Sequence, residues 1–223
     1  MRAAFFDVDD TLTNTRVWEG LMEYFERRSL RRWTHRLFWS YHMPLYSLRK
    51  IGLISEGAFR SLWAADLAWY VRGYTQSQAE PVWDWIVTEY LSQHWRVDTR
   101  ALLDGHLQAG DLVVLVSGGP VPLLQRIAQE LGVSHVVGTH FEFRDGHYSG
   151  RSLKPVCIDE NKASLAQAYL RERGLQVDFE ASYAYADSIS DRFLLDMVAN
   201  PVATYPDDQL RAVAQERGWQ IFP

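Results

Sequence analysis

A single cysteine, Cys157, is all that 223 residues carry, so no intrachain disulfide can form and no thiolate cluster can hold zinc or an iron–sulfur centre. That usage predicts a reducing, cytoplasmic setting, with Cys157 as a small buried hydrophobe. Long apolar runs are also missing. The longest uncharged stretch, Leu37 to Leu48, is broken by Ser40, His42, Pro44 and Ser47 and falls short of the ~20 residues that a spanning helix needs. Met1 to Phe6 runs straight into Asp7 and Asp9 without the basic and apolar segments of a secretory signal. There is no internal repeat and no low-complexity tract. What remains is 47% hydrophobic and 23% charged with a net charge of −5, the composition of a folded globular chain rather than a disordered or fibrous one. The length admits one generous core, or a medium domain carrying a smaller one.

Arg2 to Val8 is almost continuously apolar and stops at acidic residues, the pattern of a strand buried on both faces. Asp111 to Val116 repeats it. That run ends at Ser117-Gly118-Gly119-Pro120, read as a tight loop, and is followed by helical spacing at Leu123, Leu124, Ile127 and Leu131. Val133–Val137, Ser182–Ala186 and Val198–Ala203 supply further strands. A short helix begins near Ser190, a longer one covers Asp207–Arg217, and Trp219–Phe222 closes the chain as a short strand. Strands alternating with helices predict an α/β fold, a doubly wound parallel sheet covered on both faces. Ligands bind at the carboxyl ends of such strands, where Asp7, Asp9, Ser117 and Asp187 all fall. Phe141–Tyr148, with Asp145-Gly146 as its turn, reads as a hairpin at the sheet edge.

From Asn14 to Val97 the period changes. Trp18, Leu21, Met22 and Phe25, then Leu30, Trp33 and Leu37, recur at helical spacing, and eight of the nine tryptophans lie between Trp18 and Trp95. We read residues 14–97 as a smaller helical cap inserted after the first strand, its tryptophans packing a small aromatic core rather than forming a ring- or lipid-binding surface. Residues 1–13 and 98–223 then form the sheet domain. Arg27, Arg28, Arg31, Arg32, Arg36, Arg49 and Lys50 cluster in this cap. The first reading of that cluster is a solvated cationic face. A peripheral contact with an anionic membrane is weighed beside it, and nucleic acid is not expected.

Asp7-Val8-Asp9-Asp10-Thr11 is the sharpest feature. In a strand Asp7 and Asp9 share a face, and neighbouring carboxylates repel unless a cation or proton relieves them. A hard divalent cation bound by oxygens does this, and magnesium keeps positions open for phosphate and water. Taken singly, Asp187 or Asp191 is a turn former or helix cap, Lys162 a solvated lysine, and Ser117-Gly118-Gly119 a turn. Their order changes the odds. Asp7-Val8-Asp9-Asp10-Thr11, Ser117, Lys162 and Asp187-Ser188-Ile189-Ser190-Asp191 together resemble the haloacid dehalogenase superfamily of phosphohydrolases, over essentially the whole chain. The closest resemblance is to the phosphoserine phosphatase-like branch, subfamily IB, with a helical cap after the first strand.

That resemblance implies a magnesium-dependent phosphatase acting on a small phosphate monoester through an aspartyl-phosphate. Asp7 would be nucleophile and metal ligand. Asp9 would be the general acid and base, with its carbonyl on the metal. Ser117 and the Gly118 amide would hold phosphoryl oxygens, Lys162 would offset charge on Asp7 and phosphate, Asp187 would complete the metal site, and Asp191 would orient Lys162 or a metal-bound water. Asp10 is given no role. Where that branch carries a glutamate for the substrate ammonium, this chain has Arg16. Ser190 replaces the usual asparagine, and Ala186 the usual glycine. Arg16, with the basic cap residues, therefore points away from phosphoserine, toward a substrate that lacks a cation and bears a second anion. Two alternatives share the chain's features: a phosphotransferase or mutase using the same intermediate, and a non-catalytic binding module on the same fold.

Overall fold

The computed structural model describes residues 1–223. In chain order the elements are β1 (Ala3–Phe6), α1 (Val17–Arg27), α2 (Arg32–Lys50), α3 (Glu56–Asp66), α4 (Gln76–Trp85), α5 (Val97–Gln108), β2 (Leu112–Pro120), α6 (Val121–Leu131), β3 (His135–Thr139), β4 (Phe141–Arg144), β5 (His147–Ser152), α7 (Glu160–Glu172), β6 (Tyr183–Ala186), α8 (Arg192–Leu195), β7 (Asn200–Thr204), α9 (Asp208–Arg217) and β8 (Gln220–Phe222). Six strands form one sheet in the order β3-β2-β1-β6-β7-β8. All of its pairings are parallel.

Residues alternate faces along a strand, and β1 divides two cores accordingly. Ala4 and Phe6 join one apolar cluster with Leu103 of α5 and Leu123, Leu124 and Ile127 of α6. Ala3 and Phe5 join another with Leu170 of α7, Leu194 of α8 and Leu210 of α9. Helices therefore cover both faces, as a doubly wound sheet requires. The chain leaves β1 in opposite directions, to β2 and β3 on one side and to β6, β7 and β8 on the other, so the crevice of the topological switch lies at the carboxyl end of β1.

Three details differ from the sequence reading. The Ser117–Pro120 segment is not a loop: β2 continues through it, with a register shift between Val116 and Pro120 before Pro120 pairs with Thr139 of β3. The hairpin β4–β5 turns at Asp145 and Gly146, both with positive φ (51° and 79°), but it forms its own two-stranded sheet. Tyr148 N–H donates to Tyr74 O at 2.8 Å and Gly73 N–H to Tyr148 O at 2.7 Å. The free hydrogen-bonding edge of the hairpin is thus used by the helical insertion rather than by the main sheet.

The third difference concerns that insertion. Its two connections to the sheet run together, with Thr13 bridging Trp95, Asn14 N–H donating to His94 O, and Arg96 N–H donating to Leu12 O. Between them, Phe38 packs against His42, Trp63, Trp69 and Tyr70 with ring centroids 4.0–5.9 Å apart. These rings are not a separate core. Phe38, Tyr70 and Trp83 belong to the same apolar cluster as Phe6 and Leu115 of the sheet, because α4 and the helical turn Ile86–Tyr90 lie against α6 while α1 packs on both of them. Trp33 and Leu37 do not join it; they stay exposed on α2.

Candidate active site

The register places the site. Phe6, the last residue of β1, lies opposite Leu115 of β2 and Tyr185 of β6, so Asp7 emerges between the ends of both neighbours and its N–H donates to Tyr185 O at 2.9 Å. The strand ends there. Asp9 and Asp10 form a turn in which Asp10 has φ 56°, and Leu12 and Thr13 N–H both return to Val8 O. The shared strand face expected for Asp7 and Asp9 is therefore absent. Asp9 is held instead by the first turn of α1, its Oδ1 accepting Val17 N–H at 2.8 Å.

Lys162, in the first turn of α7, is buried and reaches two carboxylates at once. Its Nζ lies 2.6 Å from Asp7 Oδ1 and 2.7 Å from Asp191 Oδ1. Asp187 follows β6 directly. Carboxylate oxygens of Asp7, Asp187 and Asp191 fall within 4.8 Å of one another, with the buried Thr11 hydroxyl 3.4 Å from Asp7 and 3.3 Å from Asp187. Three carboxylates facing one ammonium leave two negative charges without a partner in a largely buried place. An all-oxygen donor set with that deficit fits a hard divalent cation such as Mg²⁺. Asp9 does not enter this cluster through its carboxylate.

Protonation follows the same crowding. Burial raises Asp7 despite the lowering charge of Lys162, with Asp191 adding to the rise. Burial and the charges of Asp7 and Asp191 also raise Asp187. Burial, then the charge of Asp7, lifts Asp9 from 3.8 to about 7. Burial alone would lower the Lys162 ammonium, but Asp191 and Asp7 outweigh it and hold it above the ordinary lysine range. The Cys157 thiol, pushed up to about 12 by burial, has no nucleophilic part here.

A stability prediction follows. Between the ordinary carboxylate value and about 7 for Asp9, and on to about 9 for Asp187, the folded state binds protons that the unfolded chain has released, so stability falls as pH rises through this window. With metal chelated, the melting temperature is expected to decline from about pH 5 to about pH 9. Added Mg²⁺ should oppose the decline, since binding needs ionised carboxylates. Thermal unfolding followed by circular dichroism reads both; a melting temperature that climbs with pH in chelator would contradict this electrostatic picture.

The crevice opens into a cavity of about 640 Å³ that reaches from Asp7, Asp9, Asp187 and Lys162 up into the insertion. Gly118 and Gly119 line its floor. Ser117 is fully buried, and its Oγ accepts Gly119 N–H at 3.1 Å. A Cβ on Gly119 would come within 3.0 Å of Val17 Cγ2, so the absence of a side chain keeps α1 close to the floor. Arg16 lies at the rim, but it is not alone: its Nε donates to Asp10 Oδ2 at 2.7 Å. Asp10, left without a role in the sequence reading, thus offsets the charge from which a repelled ammonium was inferred.

Sequence reasoning missed the far wall. Trp18, Trp39, Tyr46, Phe59 and Trp63 line the cavity beside an Arg49–Glu56 ion pair. Arg60, 3.6 Å from Asp159 at the start of α7, ties this wall to the helix that carries Lys162. Tryptophan density was the only signal, and it gives no direction.

Comparison with known proteins follows from this geometry. Residues 4–196 match the family model described as haloacid dehalogenase-like hydrolase. A phosphoserine phosphatase of Mycobacterium tuberculosis is 31% identical over 98% of this chain and 70% of its own length. A histidinol-phosphatase of Neisseria meningitidis is 27% identical over 98% of this chain and 97% of its own. Among solved structures, a protein of unknown function from Bordetella pertussis aligns with TM-score 0.84 and 27% identity over 100% of this chain and 99% of its own.

Proposed function

The chain belongs to the haloacid dehalogenase-like hydrolase family, and from that premise we propose that it hydrolyses a small phosphate monoester through an aspartyl-phosphate on Asp7. The observation that carries this reading is the convergence on one strand end: Asp7, its lysine partner and a second, proton-bearing carboxylate lining one cavity.

In the first step a carboxylate oxygen of Asp7 attacks phosphorus and the bond from phosphorus to the leaving oxygen breaks. Asp9, protonated up to about pH 7, gives its proton to that oxygen, and the alcohol departs. In the second step Asp9, now a carboxylate, takes a proton from water as the water oxygen attacks the phosphorus. The bond to Asp7 breaks, inorganic phosphate leaves, and both carboxyl groups return to their starting state. Lys162 limits the negative charge shared by Asp7 and the phosphoryl oxygens, while Asp191 holds the ammonium in place. The Gly118 amide at the floor would donate to those oxygens, while the Gly119 N–H is taken by the buried Ser117 Oγ, which fixes the backbone at the end of β2. Asp7 and Asp187, with Asp191 beside them, would hold Mg²⁺, the Asp9 carbonyl being the further ligand that the resemblance implies; when bound, the ion supplies further charge neutralisation at the phosphoryl group.

The far wall selects the leaving group. Five aromatic rings and one ion pair suit an alcohol with a planar or apolar body and a polar tip. The Arg16–Asp10 pair is close to neutral as a unit and so admits an amine that Arg16 alone would repel. Of the substrates named for the two relatives, histidinol phosphate has a ring for that wall and phosphoserine has none.

Phosphate release from a monoester panel, with and without chelator, tests this. Release should require Mg²⁺, and kcat/KM should rank ring-bearing monoesters above phosphoserine. A preference for phosphoserine would remove the substrate assignment, and metal-independent release would remove the Mg²⁺ site. Asp9→Asn is expected to lower kcat about 10²-fold on an alkyl phosphate. The loss should shrink on p-nitrophenyl phosphate, whose leaving group needs little protonation. Equal losses on both would mean that Asp9 is not the acid.

A further inference from the structure

The face of α2 turned away from the protein is unlike the rest of the surface. Trp33 and Leu37 are 79% and 61% exposed, and Ile51 and Leu53, just beyond the helix, are 70% and 71% exposed. Tyr41 and Leu48 continue the row. At ~100° per residue, Trp33, Leu37, Tyr41, Pro44 and Leu48 fall within an arc of about 80°, so they form one stripe along a helix about 28 Å long. The opposite face is satisfied: Phe38 and His42 are fully buried. Trp39 and Tyr46, on a third face, wall the catalytic cavity. The stripe belongs to neither core nor active site.

Charge along this segment is one-sided. From Arg27 to Ser55 the chain carries seven basic residues and no acidic one, although the whole protein has a net charge of −5. Arg32, Arg36 and Lys50 project together along one flank of the stripe, all three exposed. An apolar ridge with a basic border, lying along the surface, is the arrangement of a helix that rests in the head-group region of an anionic bilayer.

We propose that α2 and the Ile51–Leu53 turn form a docking surface for an anionic lipid membrane, with the helix axis in the membrane plane. A second copy of the chain fits the same stripe poorly. Two-fold antiparallel pairing about Tyr41 sets Arg32 of one copy against Lys50 of the other, and parallel pairing sets each arginine against itself, which repels in either case. Nucleic acid would use the arginines but leave Leu37, Leu48, Ile51 and Leu53 in water. No helix of the protein is long and apolar enough to cross the bilayer, so the contact is at the surface.

Flotation of the full chain with vesicles tests the proposal without requiring turnover. The protein should rise with phosphatidylcholine–phosphatidylglycerol vesicles and stay down with phosphatidylcholine alone. Trp33→Glu with Leu37→Glu should abolish flotation. Arg32→Glu with Arg36→Glu should weaken it about 25-fold or more, at about fivefold for each basic side chain removed. Circular dichroism establishes that each variant is folded, and activity on a soluble phosphate ester should be unchanged because none of the four lines the cavity. Absence of flotation, or flotation indifferent to all four changes, would overturn the assignment. So would stripe variants that turn a dimer into a monomer in sedimentation while flotation is unaltered, or retention by single-stranded RNA in preference to anionic vesicles.

Discussion

Asp7→Asn is expected to lower phosphate release by about 10⁴-fold or more, the scale on which removal of a covalent nucleophile acts. The amide matches the carboxylate in shape, so the cavity should keep its form; what disappears is the oxygen proposed to attack phosphorus. The variant should remain folded, and for a definite reason. Asp7 is buried with Asp187 and Asp191 beside it, and only part of that crowding is relieved by Lys162 at 2.6 Å. Neutralising Asp7 leaves Lys162 paired with Asp191 and removes its repulsion of Asp187, Asp191 and Asp9. In chelator the melting temperature should therefore hold or rise, and its decline with pH should flatten. Rapid quenching after mixing with substrate should trap phosphate on the wild-type chain and none on the variant. Activity within about tenfold of wild type would mean that Asp7 is not the nucleophile.

Asp7 and Asp187 were readable in the sequence because a parallel sheet has one chemistry-bearing edge. Strand, helix, strand in succession sends every carboxyl end the same way, so acids that close an apolar run must meet. Lys162 was not readable on those terms. It arrives from the start of α7, after a hairpin that leaves the main sheet, and only its resemblance to a known order of motifs singled it out. Asp10 and Arg16 were misread for a local reason: the positive φ at Asp10 folds the chain back, bringing together two charges that look independent six residues apart. Helical spacing at Leu30, Trp33 and Leu37 raised the opposite difficulty. A periodic stripe states that a face exists and is silent about what covers it, so a stripe expected to pack lies open to solvent. The aromatic wall of the cavity was hidden by abundance, since eight tryptophans in the insertion can fill a core, line a pocket or do both, and here they do both.

Lys162→Met tests the electrostatic half of the site, and its expected effects divide cleanly. Methionine fills the same channel without the ammonium, leaving Asp7 and Asp191 buried and facing each other. Breaking a buried ion pair by removing one partner costs about 3–5 kcal/mol, so the variant should unfold at clearly lower denaturant concentration than wild type in chelator near pH 7. Lowering the pH should recover much of that loss, because protonating either carboxylate removes the repulsion. Mg²⁺ should recover part of it as well, through charge at Asp7. Catalysis should fall about 10²–10³-fold even where the variant is fully folded, the scale for loss of one charge-stabilising group. The loss should appear in kcat more than in KM if the lysine acts on charge that develops as the phosphoryl group transfers. Lys162→Arg is the discriminating companion. It keeps the positive charge but replaces a compact ammonium with a planar fork, in a space where Nζ sits within 2.7 Å of two separate carboxylates. It should hold stability better than methionine yet regain little activity. Full activity in the arginine variant would show that charge alone, and not its placement between Asp7 and Asp191, is what the reaction requires.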